Sequence, residues 1–405
     1  MPVRTITTEA AAADPKGPLA RSARNIGRRL GERLFAEIAR EPITARPRRA
    51  LRASASLGLA YAAATFVHLG SLMLVAIAVA LWVRPWSNVF FAIGAFALPL
   101  LAWSVRPRLT QPPPARLDRA AFPALHALTD RAAYALGSPA ADGIAVSTEL
   151  NANFRRAGWS GRRHVELGLP LLLLLHRDER TAVVAHELAH GVNGDPLRGQ
   201  FLYSAVHTLF TCEAVLRPTA IGESGREQQF GPFISLLAIP LDLATMAISK
   251  AFGLLGQGML LLVYRESQRA EYLADRLAAT VAGGAATRSM LQALSLTEAA
   301  DAAMHRAALQ GRLTDLPALL RDFRRDLPAA EVEGWLERSR SEGWRVDATH
   351  PPTAMRIDML AHFPEHDSTR LLSDAEEQQI DAELARLLPD IQRELINHYV
   401  VGLNG

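Results

Sequence analysis

A single cysteine, Cys212, stands in 405 residues. It excludes an intrachain disulfide and any metal site built from cysteines, and it fits a reducing compartment. Net charge is nearly absent as well: 44 Lys and Arg against 41 Asp and Glu leave +3. That average is a poor guide to partners, because basic residues crowd the N-terminal tail. The tail could touch nucleic acid, but a basic flank abutting an apolar span is more simply a topology signal, and nucleic acid is not expected. The start of the chain lacks the pattern of a secretory signal, because the first long apolar run begins only near Ala53, after an Arg-rich and Ala-rich tail.

Two stretches lack charge altogether. Ala53 to Val83 carries none apart from His68 when protonated, and Trp86 to Val105 carries none. Both reach the roughly 20 residues that a spanning helix needs. With Arg84-Pro85 between them they read as a transmembrane helical hairpin over 53–105, and Trp82, Trp86 and Trp103 suit the interfacial aromatic belts. Arginines crowd the preceding tail (Arg21, Arg24, Arg28, Arg29, Arg33, Arg40, Arg46, Arg48, Arg49, Arg52), and Arg106, Arg108, Arg116 and Arg119 follow the second run. The positive-inside rule then makes both flanks cytoplasmic. Residues 1–52 are expected to be a basic cytoplasmic tail, disordered or weakly helical, and 106–405 a cytoplasmic domain on a multi-pass protein of the cell (inner or plasma) membrane. The lipid bilayer is one expected partner.

Beyond the Pro112–Pro114 linker, Leu117, Phe122, Leu125, Leu128, Ala132 and Leu136 recur at helical spacing until Gly137. Ile144–Leu150 and His164–Leu167 read as short strands around a polar turn, Arg155–Arg163. An open strand edge there could hold a substrate backbone by β-augmentation. Leu169 to Leu175 has no assigned secondary structure. Farther on, 201–264 forms an apolar hairpin, Phe201–Leu216 and Phe230–Tyr264, interrupted by His207, Glu213, Asp242 and Lys250, with Pro240 expected to break or kink its helix. It reads equally as a second spanning pair or as a hairpin packed on the domain or the membrane surface.

The chemistry centres on Thr181 to Pro196, which holds His186, Glu187 and His190 as H-E-x-x-H. Residues four apart share a helix face, so both imidazoles could meet one zinc ion while Glu187 stands beside it. A carboxylate there could take a proton from zinc-bound water, whose pKa falls to about 7. Asp178 is the expected N-cap, and Gly191 and Asn193-Gly194 the expected exits. A bland alternative is a buried helix whose histidines bond nearby backbone.

A third ligand is needed. In Arg265–Thr280, Glu271 and Asp275 are four apart, so Glu271 could complete a two-His, one-Glu set while Asp275 orients a histidine. The metzincin pattern would require glycine at Asn193 and histidine at Pro196, and fails. Glu213 is the weaker rival, since its i+4 neighbour is Arg217 and it has no acidic helper. In Thr349-His350-Pro351-Pro352 the prolines can open a helix, and His350 is either a surface histidine or a group that hydrogen-bonds the oxyanion of the tetrahedral intermediate.

Taken in order, Asn151-Ala152-Asn153, HELAHGVNGD from His186, EYLAD from Glu271 and THPPTAMRI from Thr349 resemble the membrane zinc metallopeptidase family that includes the bacterial heat-shock protease HtpX and the CAAX prenyl endopeptidase. The resemblance covers most of 117–362. It implies a mainly α gluzincin fold with a small β-sheet and one Zn2+ per chain on His186, His190 and Glu271. It also implies Glu187 as base, Asp195 and Asp275 in support, His350 near the substrate, and Asn151 and Asn153 at the substrate strand. Relatives often carry arginine three residues before the glutamate ligand, where this chain has Gln268, with Arg269 displaced by one.

The stretch 297–342 looks peculiar to this chain and reads as amphipathic helices, a lid or packing appendage. Ser373 and Glu376 form a capping box opening a C-terminal helix with Ile380, Leu384, Leu387 and Leu388 on one side. The expected protein is a membrane zinc endopeptidase acting on peptides or membrane proteins in quality control or processing. The rival is a membrane-anchored scaffold or chaperone-like adaptor that keeps the fold without proteolysis.

Overall fold

The computed structural model describes residues 18–40, 55–83, 89–104, 106, 110–113, 116–158, 160–193, 200–217, 232–342, 350–364 and 370–401. In chain order its elements are α1 (Pro18–Ala39), α2 (Ala55–Val83), α3 (Val89–Ser104), α4 (Pro123–Ala135), β1 (Gly143–Ser147), β2 (Ala152–Ala157), β3 (Arg162–Gly168), α5 (Leu169–Leu174), α6 (Arg177–Asn193), α7 (Gln200–Leu216), α8 (Pro232–Ala282), α9 (Gly284–Leu294), α10 (Thr297–Leu309), α11 (Leu316–Arg325), α12 (Ala329–Glu342), α13 (Thr353–Leu360) and α14 (Asp374–Val401). The chain is mainly helical with one three-stranded sheet. It divides into two units. One holds α2, α3, α7 and α8 as far as Tyr264, and the other holds α1, the sheet, α8 from Arg265, and the remaining helices.

In the first unit the usual helix pattern is inverted. α2 buries Ala60, Ala64, Ser71 and Ala78 and exposes Phe66, Leu69, Leu72 and Val83, small residues in and large apolar ones out, as suits a helix solvated by lipid. Trp82 Nε1 donates to the Ala95 carbonyl of α3 at 2.5 Å, and Tyr61 stacks on Phe201 of α7. Ala55–Val83 and Asp242–Ala282 are both long and apolar enough to cross a membrane. Within the second run of the expected hairpin, the described residues Val89–Ser104 are helical as α3. Trp86 and the Arg84-Pro85 turn lie outside the described residues, as does much of the polar loop between α7 and α8. Pro240 does not end its helix, since α8 runs through it.

In the second unit α4 begins at Pro123, later than the periodicity from Leu117 suggests. Leu117 is extended, donating its N–H to the Ile144 carbonyl, and Asp118 turns the chain by accepting from Ala120 and Ala121. Proline is at home in the first helical turn, where its missing N–H costs nothing. The first amides of α4 are met from afar: Glu383 of α14 accepts from Ala124 N–H and Leu125 N–H at 2.8 and 2.9 Å.

The sheet has the order β1-β3-β2, with β1 parallel and β2 antiparallel to β3. Here the expected polar turn Arg155–Arg163 is corrected, because its first part is strand: β2 pairs Arg155 with His164 and Arg156 with Arg163, so the hairpin is β2–β3. Charge hid the strand. Arg155 is neutralised across the pair by Glu166, and Arg163 by Asp142 at 3.2 Å. Gly168, the end of β3, is tight, since a Cβ there would fall 1.6 Å from the Glu149 carbonyl oxygen.

Helix α1 lies in the basic tail: Pro18–Ala39 is helical, the second of the two alternatives for that stretch, and Leu34 and Ile38 are buried with Tyr272 and Met359. The helices of 297–342 join the main core through Met304, Leu316 and Leu320, which is the packing rather than the lid alternative. The capping box of α14 forms: Ser373 N–H donates to Glu376 Oε2 at 2.9 Å, and Glu376 N–H to Ser373 Oγ at 3.3 Å.

At the start of α6 the cap is Glu179 rather than Asp178. Arg177 already opens the helix, and Glu179 reaches back to accept from His176 N–H at 2.7 Å. Buried Glu179 also takes two bonds from Arg324 of α11, at 2.6 and 2.5 Å, and one from Ser289 at 2.5 Å. Burial pushes its pKa up, but Arg324, Ser289 and the His176 amide together hold it below the ordinary carboxylate value. A carboxyl lowered in the folded state contributes stability that is full above its unfolded pKa, about 4.3, and is lost as pH falls through the folded value. Glu179→Gln should therefore cost about 3 kcal/mol at neutral pH, because it strips the partner from a largely buried guanidinium, and should flatten the stability profile below pH about 4. Urea unfolding across pH tests this; a variant with the wild-type midpoint and acid slope would refute the role.

Candidate metal centre

The charged groups of the second unit converge on α6. His186 and His190, one turn apart, bring their Nε2 atoms to 3.2 Å of each other. The Glu271 carboxylate, from α8, meets both: Oε2 lies 3.6 Å from His186 Nε2 and Oε1 lies 3.4 Å from His190 Nε2. Asp275, one turn on, sets Oδ1 at 3.0 Å from His186 Nδ1, a placement suited to orienting the ring with Nε2 toward Glu271. The rival Glu213 belongs to the other unit, where its carboxylate pairs with Arg217 at 3.2 Å.

Glu187 points elsewhere on the same helix. Its Oε2 accepts the Phe154 N–H of β2 at 2.7 Å. Because β2 is an outer strand of the sheet, this bond ties Glu187 to the strand edge. His186, Glu187 and His190 nonetheless offer ligand atoms all within 4.8 Å of one another. Phe154 explains Gly191 too. The helix does not exit there but continues to Asn193, and a Cβ on Gly191 would meet the Phe154 ring at 2.8 Å. The glycine lets strand and helix close on each other.

Sequence reasoning assigned no part to Arg356, yet it lies at the centre. From α13 it grips Asp275 with two bonds, Nε to Oδ2 at 2.8 Å and Nη2 to Oδ1 at 2.7 Å, and Nη2 lies 3.5 Å from Glu271. Its pKa is raised: burial opposes the charge, and Asp275 and Glu271 outweigh burial. The signal was present in THPPTAMRI, where an arginine sits on a helix otherwise available to the core. His350, at the head of the same segment, is 43% exposed and places Nδ1 at 2.7 Å from Glu271 Oε2. Asn151 precedes β2, where its side-chain oxygen accepts the Ala152 N–H. Asn153 sits opposite Glu166 and beside Phe154. Asp195 lies outside the described residues. Arg269, the displaced arginine, pairs with Glu37 of α1 at 3.5 Å.

Glu187, Glu271 and Asp275 are all buried, and the one buried guanidinium among them is Arg356. Among the described residues, three carboxylates against one guanidinium leave a deficit of two positive charges around two imidazoles, a burden that a bound cation or a change of protonation would relieve. The donor spacing suits one. A tetrahedral ion with bonds of about 2.0 to 2.1 Å separates its ligand atoms by about 3.3 Å, and the three distances among His186, His190 and Glu271 bracket that value.

Against known proteins, the model of peptidase family M48 matches residues 119–363. A protease HtpX homolog of Bacillus licheniformis is 31% identical over 141 residues, 35% of this chain and 44% of that protein, so the likeness spans less than half of the relative's length. No solved structure matches.

The contact between Gly191 and Phe154 is open to test. Gly191→Ala should destabilise the fold by about 1 to 3 kcal/mol through overpacking, and Phe154→Leu should recover part of that loss in the double variant. Additive losses in a thermal-melt double-mutant cycle would show that the two residues do not meet.

Proposed function

Because the chain belongs to peptidase family M48, we propose that it is a zinc-dependent endopeptidase, held at a membrane, that hydrolyses peptide bonds with an activated water. The observation that carries the reading is the buried set of two imidazoles and Glu271 at tetrahedral spacing, with its deficit of two positive charges. In this reading His186, His190 and Glu271 hold one Zn2+, which supplies polarisation of the scissile carbonyl and acidifies water. Glu187 takes the proton of the attacking water and delivers it to the leaving amine. The Phe154 N–H steadies its second oxygen. Asp275 orients His186, and Arg356 compensates the surplus carboxylate charge. His350 lies beside Glu271, where its ring would be placed to hydrogen-bond the oxyanion.

The substrate is a polypeptide. It would lie extended along the outer side of β2, where Asn151, just before the strand, and Asn153, within it, would meet its backbone or side chains. Asp195 would support the site as the resemblance implies. The fold is then a gluzincin of residues 106–405, anchored by α2 with α3 completing a hairpin, and the arginine flanks favour a cytoplasmic catalytic unit. Support for the anchor is the outward array of large apolar side chains on α2.

The chemistry is tested by two variants of the purified protein. Glu187→Gln should retain one zinc per chain yet lose cleavage of an unfolded casein substrate by about 1,000-fold or more, whereas Glu271→Ala should lose the metal itself. Turnover retained in the first would remove Glu187 from the base role, and full metal content in the second would transfer the ligand role elsewhere. Wild type should lose activity to a chelator and regain it with zinc. The anchor has its own test: after an alkaline carbonate wash the protein should stay in the membrane pellet, and release into the supernatant would exclude an integral protein.

A further inference from the structure

Helix α1 is not needed for any role given so far, yet it is docked against the back of the metal centre. Leu34 and Ile38 are each 2% exposed and form a cluster with Tyr272 and Met359, flanked by Phe35, Met355 and Phe363. Tyr272 is the residue after Glu271. Met355 and Met359 flank Arg356 on α13. Phe35 stands edge-on to the Tyr272 ring at 6.1 Å and to His362 at 5.4 Å. Glu37 faces two arginines one turn apart on α8, Arg265 and Arg269.

A short amphipathic helix thus bridges the two elements whose side chains meet inside, the part of α8 that carries Glu271 and Asp275 and the helix that carries Arg356. The ion pairs are partly exposed and contribute little energy, but they set the register of α1 along α8. The apolar cluster supplies the hold. Tyr272 cannot shift without moving the backbone of Glu271, because the two residues are adjacent on a helix.

We propose that α1 is a positioning element of the metal centre, acting through Tyr272 and Met359 to hold Glu271 and Asp275 against Arg356 and the imidazoles. The proposal rests on the reading of Glu271 as a zinc ligand. It makes Leu34, Phe35 and Ile38 positioning residues, remote from substrate, whose loss loosens the metal rather than the fold alone.

The test uses the full chain in detergent carrying Leu34→Ala and Ile38→Ala together, compared with wild type well below the unfolding temperature. Competition with a chromogenic chelator should show zinc held about 10-fold more weakly, with kcat on casein reduced several-fold and KM little changed. A synthetic peptide of residues 18–40 added in trans should restore zinc affinity, and the conservative pair Leu34→Met and Ile38→Leu should keep it. Where the double alanine variant does not fold, Ile38→Val carries the same measurements with a shift of about 2-fold. A lower melting temperature with unchanged zinc affinity and kcat would reduce α1 to a stabilising strap and overturn the proposal. Wild type that binds no zinc would instead defeat the reading on which it rests.

Discussion

Burying three carboxylates beside two histidines is the constraint on which the catalytic unit depends. With Arg356 as the one guanidinium among them, the group is short of two positive charges, and every buried oxygen must be aimed. The arrangement meets this with pairs one helical turn apart. His186 and His190 face Glu271 and Asp275, so two helices present two groups each to a common point, and Arg356 from a third helix grips Asp275 beside it. The geometry is a property of the 3.6-residue period as much as of the residues themselves.

Placing those helices takes contacts at both ends of α6. At its start, Glu179 binds the His176 amide, Ser289 and Arg324 at once, which draws in α11 from a stretch that looks like an appendage in the sequence. Near its end, Gly191 admits Phe154, which brings β2 alongside. Glu383 does for α4 what Glu179 does for α6, meeting helix amides with a buried carboxylate. The core beneath is ordinary, built of Leu, Val and Ala from the sheet and the surrounding helices.

What could be read from the sequence, and what could not, follows from the range of each interaction. H-E-x-x-H and the Glu271–Asp275 pair are local patterns of spacing, and the groups they name do converge. The capping box of Ser373 and Glu376 is likewise local. Arg356 was missed because its meaning depends on Asp275, 81 residues away. β2 was missed because two arginines stand in it, and their charge reads as loop until Glu166 is set across the pair from Arg155. The packing of α1 was out of reach because a few apolar positions among many arginines bury nothing until Tyr272 and Met359 are near.

The bond from the Phe154 N–H to Glu187 comes from main chain, not from a side chain. Side-chain identity at position 154 can therefore drift in size or polarity without deleting that donor, and only proline removes it outright. The residue that fills the space over Gly191 and the amide that steadies Glu187 are the same residue, yet they answer to different selective pressures, one to volume and the other to backbone alone. The aim of the carboxylate is in this sense inherited with the sheet rather than encoded at a single codon.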